Sequence, residues 1–207
     1  MARRSIVSFW GAMSKQQEHH EETRIAVIAV GSNATRLSIK SRDIVTASCV
    51  HMSDRIGKLY KSSSFYQTPA FPAGSGPDYV NAVVAIRTEL SADAILATLH
   101  QIEADFGRTR ETRWGQRTLD LDLIALGDLV LPDLGTYQTW RDLPPESQMA
   151  RAPDRLILPH PRVQDRSFVL VPLAEIMPEW RHPVTGKTAS DLLAARPADE
   201  RASVVPV

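Results

Sequence analysis

The chain has 207 residues, 43% of them hydrophobic and 23% charged, enough for one globular domain with its own core. Lysine plus arginine equals aspartate plus glutamate at 24 each, so no global field favours nucleic acid or an anionic membrane, and a basic site must be local. The single cysteine, Cys49, excludes an internal disulfide, and no run approaches the roughly eighteen apolar residues of a membrane helix, so a cytoplasmic location is expected.

Residues 1–23 read as a disordered extension: Arg3-Arg4 hints at a twin-arginine export signal, but the apolar run stops at Gly11 and a polar stretch follows. Residues 24–30, a β-branched apolar run, predict a buried strand that ends in the turn Gly31-Ser32-Asn33, where the glycine allows a close backbone approach. A loosely helical spacing over 37–54 puts Cys49 toward the core. Residues 57–66 alternate weakly, as a strand that runs out at Pro69, and 70–78 form a Pro/Gly-stiffened loop. The next strand, 79–88, is expected antiparallel to its predecessor. Ser91 suits the N-cap of a helix running to Phe106, with Ile95, Leu99, Ile102 and Phe106 as its apolar stripe, Glu103 at the stripe's edge, and Gly107 at its C-cap.

Residues 107–123 combine a glycine-punctuated basic loop with a strand whose alternation puts Leu119, Leu121 and Leu123 on one face and Asp120 and Asp122 on the other. One pleat repeat separates the two carboxylates by roughly 6.5–7 Å at Cα. At an effective dielectric of about 20 they repel by roughly 2–3 kcal/mol, so the pair needs water or a counter-charge. Magnesium suits it, because that ion takes one or two carboxylates plus substrate phosphates, and the upstream arginines suit the rest of a polyphosphate. The plain alternative is a solvated strand face beside a solvated loop.

Beyond that strand, Gly127-Asp128 and 129–131 predict a small hairpin, and 132–154 a surface insertion of little periodicity. Residues 156–161 return the chain to the domain, 167–176 form a helix or extended segment containing Pro172, and 189–195 a short helix before a polar tail, 196–207. Thr185-Gly186-Lys187-Thr188 imitates the end of a P-loop, but Arg181 stands where that motif needs its first glycine, and neither a buried strand nor a long helix flanks it.

Five segments in order, Gly31-Ser32-Asn33, 63–69, 77–82, 107–122 and Pro159-His160-Pro161 through Arg166 and Phe168, resemble the 6-hydroxymethyl-7,8-dihydropterin pyrophosphokinases of folate biosynthesis. The resemblance implies an α+β, ferredoxin-like sandwich, a mainly antiparallel sheet with helices packed on it, over a domain at 24–195. It implies transfer of pyrophosphate from ATP to the pterin hydroxymethyl oxygen, by a monomer that engages small-molecule substrates and neither nucleic acid nor membrane. Carried over by position, Asp120 and Asp122 would hold two magnesium ions, and Arg108 and Arg117 would stabilise the moving charge. Glu103, Arg110, Arg113, Trp114, His160 and Arg166 would surround the nucleotide. Trp114 and Phe168 would sandwich the pterin, and Thr68, Pro69, Phe71, Tyr79 and Asn81 would line or read its edge. Residues 69–78 and 107–116 look like the family's closing loops. Gln67 stands where an arginine is familiar, Pro161 where some members carry tyrosine, and the arginine loop is a residue shorter than in some members.

Two other classes compete. A single-stranded RNA-binding module of the same fold needs stacking aromatics on central strands and a basic domain, and the chain has neither. A non-catalytic pterin- or nucleotide-binding homologue is opposed by the presence of Asp120, Asp122, Arg108 and Arg117 together.

Overall fold

The structure, a computed structural model, describes residues 22–33, 40–70, 76–107, 118–144, 146–147 and 151–207. The element order is β1 (Arg24–Ser32), α1 (Ser41–Arg55), β2 (Lys58–Ser62), β3 (Tyr66–Thr68), β4 (Tyr79–Thr88), α2 (Ala92–Asp105) and β5 (Asp120–Leu126). After these come α3 (Leu134–Arg141), α4 (Ser167–Ile176), α5 (Ala189–Ala194), α6 (Ala198–Ala202) and β6 (Val205–Pro206). The sheet runs β5-β1-β4-β3-β6 with β2 also paired to β4, and the named pairs are antiparallel. A β-α-β-β-α-β core with β1 and β4 central is the ferredoxin-like order.

Period-two alternation sorts the sheet into two cores. Ala26, Ile28 and Val30 of β1, Ala82, Val84 and Ile86 of β4, and Leu121 and Leu123 of β5 pack with Ile44, Val45 and Met52 of α1 and Ile95, Leu99 and Ile102 of α2. On the other face Val27, Ala29, Val83 and Ala85 meet Val169, Leu170 and Leu173 of α4 and Leu192 of α5. Burying a Leu or Ile side chain contributes about 1.5–3 kcal/mol, so the two layers together hold the sheet. Ser91 caps α2 as its sequence suggests, its Oγ accepting from the Ala94 amide at 3.3 Å. Cys49 is half-buried against the first core, where burial pushes its thiol up to about 11.

A bulge decides which way the aspartates face. Leu126 opposite Ala26 belongs to the α1/α2 layer, and strict alternation from it would send residues 124, 122 and 120 to that same layer. The register shifts by one at Ile124, so Leu123 and Leu121 take the helical layer and Asp122 and Asp120 turn toward α4.

The chain departs from expectation in four other places. The strand over 57–66 is two short strands, with a break at 63–65 where the Ser64 amide donates to both Glu175 carboxylate oxygens at 3.0 and 3.1 Å. Residues 129–131 form no hairpin with β5, because Leu131 bridges instead to Leu158. Within 132–154, Asp133 caps α3 by accepting from the Thr136 amide at 2.9 Å, and α3 buries Tyr137 completely. In the polar tail, Val204 is buried and β6 extends the sheet beside β3. The P-loop look-alike is a tight turn, with Gly186 at φ +67 and Thr188 capping α5 through a capping box.

Tyr137 meets a buried histidine. Its hydroxyl lies 3.0 Å from His182 Nε2, and His182 Nδ1 accepts from the amides of Val184 and Thr185 at 3.1 and 3.3 Å. Nδ1 therefore carries no proton, and a second proton there would confront two donors. Burial, and after it the Arg141 cation, hold the His182 pKa down to about 4. An unfolded histidine titrates near 6.5, so the unfolded chain binds this proton first, and stability contributed by neutral His182 is lost as pH falls from about 6.5 to about 4. The loss is on the order of 3 kcal/mol. Urea unfolding of wild type and His182→Gln at pH 7, 5.5 and 4 is expected to give a shallower pH dependence in the variant; equal slopes would show that His182 does not set it.

Candidate active site

Three adjacent strands, β4, β1 and β5, converge at one end of the sheet. Gly31 stands opposite Asn81 on β4 and opposite Asp120 on β5, so Asn81, Gly31 and Asp120 form a row two strand spacings, roughly 10 Å, across. Paired residues share a face, and the alternation puts this row on the α4 side, with Asp122, Tyr79, Thr68 and Tyr66. One end of the row is thus an amide-and-hydroxyl cluster and the other a carboxylate pair.

In the amide cluster, Asn81 is 5% exposed and its Nδ2 donates to Thr68 Oγ1 at 2.8 Å. This close approach explains Gly31: a Cβ there would lie 3.1 Å from Asn81 Oδ1. Pro69 follows Thr68, and the Gln67 side chain donates to Asp78 Oδ2 at 2.7 Å, tying together the two ends of the 69–78 segment. Tyr66, absent from the sequence-derived set, lies opposite Asn81 and donates its hydroxyl to Glu175 Oε2 at 3.0 Å. Its spacing of two from Thr68 was the available signal.

In the acidic cluster, Asp122 accepts from Arg166 Nη1 at 2.6 Å, and the Arg166 guanidinium also lies 5.7 Å from the centroid of the Phe168 ring. Phe168, at the start of α4, is 39% exposed, the exposure a stacking platform requires. The β5 bulge brings in His160, whose amide donates to the Ile124 carbonyl at 2.7 Å. His160 Nδ1 accepts from the Arg162 amide at 3.1 Å, and burial, then the Arg166 cation, hold its pKa well below the usual histidine value. The neutral ring therefore carries its proton on Nε2. Arg162 went unnoticed in the sequence; its Nε is buried without a hydrogen-bond partner, and burial and then Arg166 lower its pKa. The recurrence of basic residue types at 160, 162 and 166 was its signal.

Glu103 sits behind this cluster. It is 2% exposed, and its Oε1 accepts from the Leu121 amide at 2.8 Å, between the two aspartates. The carboxylate at the edge of the α2 stripe thus meets the backbone of the edge strand β5.

Ten candidates come together at this end of the sheet or just behind it: Thr68, Pro69, Tyr79, Asn81, Glu103, Asp120, Asp122, His160, Arg166 and Phe168. Phe71, Arg108, Arg110, Arg113, Trp114 and Arg117 lie outside the described residues. Among the described residues no group of three or more His, Cys, Asp or Glu could hold a metal by itself. Two hard carboxylates on one strand face fit magnesium, which takes its remaining ligands from water and substrate phosphates.

The family model for 7,8-dihydro-6-hydroxymethylpterin-pyrophosphokinase (HPPK) matches residues 27–178. The chain belongs to this family. HPPK proteins are pyrophosphokinases of folate biosynthesis, and that membership does not favour the RNA-binding alternative. The chain is 44% identical over 136 residues to the 2-amino-4-hydroxy-6-hydroxymethyldihydropteridine pyrophosphokinase of Synechocystis, covering 66% of this chain and 59% of that protein. With the protein of the same name from Methylorubrum extorquens the identity is 34% over 171 residues, 82% of this chain and 91% of the relative. The fold is shared with crystal structures of HPPK-DHPS. The wild-type Plasmodium falciparum protein superposes with a TM-score of 0.59 at 16% identity, over 84% of this chain and 44% of that one. Another HPPK-DHPS, in complex with substrates, gives 0.61 at 13%, over 84% of this chain and 43% of that one. Among the described residues no helix is long and apolar enough to cross a membrane.

Proposed function

We propose that the chain transfers the β,γ-pyrophosphoryl group of ATP to 6-hydroxymethyl-7,8-dihydropterin, as a monomer in the cytoplasm. The observation that carries this reading is the row of three strands: an amide cluster suited to a heterocycle edge stands roughly 10 Å from a carboxylate pair suited to metal-bound phosphates. That spacing matches the reaction, in which the flat ring and the attacked phosphorus are joined through one hydroxymethyl group.

Asn81, with Thr68 and Tyr79, reads the polar edge of the pterin, while Phe168 stacks on its face and Trp114 covers the other. Asp120 and Asp122 would hold magnesium, two ions in the full site, and the metal would supply charge neutralisation and Lewis-acid polarisation to the phosphates. Arg166 then exchanges its Asp122 partner for phosphate oxygens, and neutral His160 donates from Nε2 to the nucleotide. The hydroxymethyl oxygen forms a bond to the β-phosphorus, the bond from the β-phosphorus to the α,β-bridging oxygen breaks in line, AMP departs with the bridging oxygen, and the hydroxyl proton is released to solvent. Arg108 and Arg117 meet the charge that develops, Arg110 and Arg113 grip the triphosphate, and Phe71 closes over the pterin from the 69–78 segment. Glu103 acts on this site through the β5 backbone.

The test is AMP release from ATP, measured with and without the hydroxymethylpterin and with magnesium present or chelated. Release that requires all three components is the expected result. Folded protein that releases no AMP would overturn the reading.

A further inference from the structure

Residues 196–207 lie beyond the matched family region, yet they touch both walls of the pocket described above. One wall is β3, which carries Thr68. β6 pairs with it, Tyr66 opposite Pro206 and Gln67 opposite Val205, and the Val207 amide donates to the Phe65 carbonyl at 3.0 Å. Ser203 and Val205 line one cleft with Gln67, Pro69 and Asp78, at the base of the 69–78 segment. The other wall is the first turn of α4, which carries Arg166 and Phe168. Ser167, between them, donates its Oγ to Glu200 Oε2 at 3.2 Å. Arg196 clasps the same carboxylate through Nη2 at 2.5 Å and Nε at 3.2 Å, and its Nη1 lies 3.9 Å from Asp165.

We infer that residues 196–207 are a clamp that sets the distance between β3 and the start of α4, with Glu200 as its positioning residue. The strand half holds Thr68, and through it the Asn81 amide; the helix half holds the Phe168 ring. The strand half bears on the pterin edge, whereas the helix half also fixes the start of α4 beside Arg166, the partner of Asp122, so the strand half is the one confined to the pterin subsite. A ring gripped by its edge and its face at once depends steeply on that separation, because misplacement of a bound group by an ångström weakens both contacts together.

The inference rests on the assignment of this pocket to the pterin, and the experiment separates the two. Three variants serve: deletion of residues 204–207, Val207→Pro, which removes a single amide donor on an exposed residue, and Glu200→Gln. Initial rates of AMP release give KM for each substrate and kcat, and titration of the pterin in the absence of turnover gives its Kd. Each variant is expected to raise KM and Kd for the pterin by about 5- to 10-fold; KM for ATP and kcat stay within about twofold in the two strand variants, and in Glu200→Gln KM for ATP rises less than that for the pterin, with the melting temperature unchanged, because Arg166 adjoins Ser167. Unchanged pterin constants would overturn the clamp. So would a parallel loss in both substrates and kcat with a lowered melting temperature, the signature of a merely structural tail. Should the deletion fail to fold, the two point variants carry the test. Wild-type protein that binds pterin without releasing AMP would defeat the reaction while leaving the clamp to be judged by Kd; wild-type protein that does not bind pterin would defeat both.

Discussion

Asp122→Ala is expected to lower turnover by on the order of a thousandfold while leaving the protein folded. Asp122 sits on the strand face that the Ile124 bulge turns toward α4, and its side chain is 36% exposed. It belongs to neither apolar layer, and its Arg166 partner is itself 24% exposed. An ion pair so near solvent contributes about 0.2–1 kcal/mol, so the urea midpoint should move little. The rate is another matter, because on the proposed function the carboxylate is one of two that would hold the metal, and among the described residues no group of three or more His, Cys, Asp or Glu stands in for it. Asp122→Asn, which keeps the shape and a weaker oxygen donor, should recover only a small part of the rate, and more of it at high magnesium. AMP release across a magnesium titration checks this. A variant within twofold of wild type would mean that the aspartates are a solvated strand face and the pair binds no metal.

The second large effect concerns Glu103, and it discriminates two roles. The family resemblance puts this residue at the nucleotide; the structure joins it to the Leu121 amide, with Glu103 only 2% exposed. β5 is an edge strand of the sheet, with β1 on one side and, among the described residues, no strand on the other, so its outward amides need a partner. Glu103→Ala leaves a buried amide unsatisfied and should cost about 1–3 kcal/mol of stability. It should also lower kcat by about 10–100-fold, because the strand carrying both aspartates loses its support between them. Glu103→Gln keeps an acceptor oxygen and should restore most of both. Urea unfolding and steady-state rates together decide. A rise in KM for ATP alone, with unchanged stability, would assign Glu103 to the nucleotide directly and dismiss the role of strand support.

The helix α2 and its contents were legible because they rest on local rules. Ser91 caps it, and Ile95, Leu99 and Ile102 at helical spacing are fully buried. β1 and β4 were legible for the same kind of reason, as long apolar β-branched runs. The weak alternation of 57–66 hid two strands, because a break filled by contacts to Glu175, more than a hundred residues away, leaves no local mark. Nor does periodicity announce that Leu131 prefers Leu158 to a hairpin partner, or that Tyr137 and His182, 45 residues apart, share a hydrogen bond. In 132–154 the prolines dominated the pattern, and a single buried tyrosine is too sparse to show a period.

By itself the sequence determined which residue types could do the chemistry and that Asp120 and Asp122 share one face of a strand, since alternation is a property of the backbone alone. It also showed that Gly31 permits a close backbone approach, although a Gly-Ser-Asn turn alone does not say that anything uses it. Which face the aspartates take was decided by the bulge at Ile124, and a one-residue slip in pairing with β1 cannot be read from β5 alone. That the nearby object is the Asn81 amide, that Glu103 supports a strand, and that the C-terminal residues join both walls of the pocket were likewise decided only by tertiary structure. The physical reason is common to all of these: each is a hydrogen bond or register between residues distant in the chain, and a local pattern carries no record of its partner.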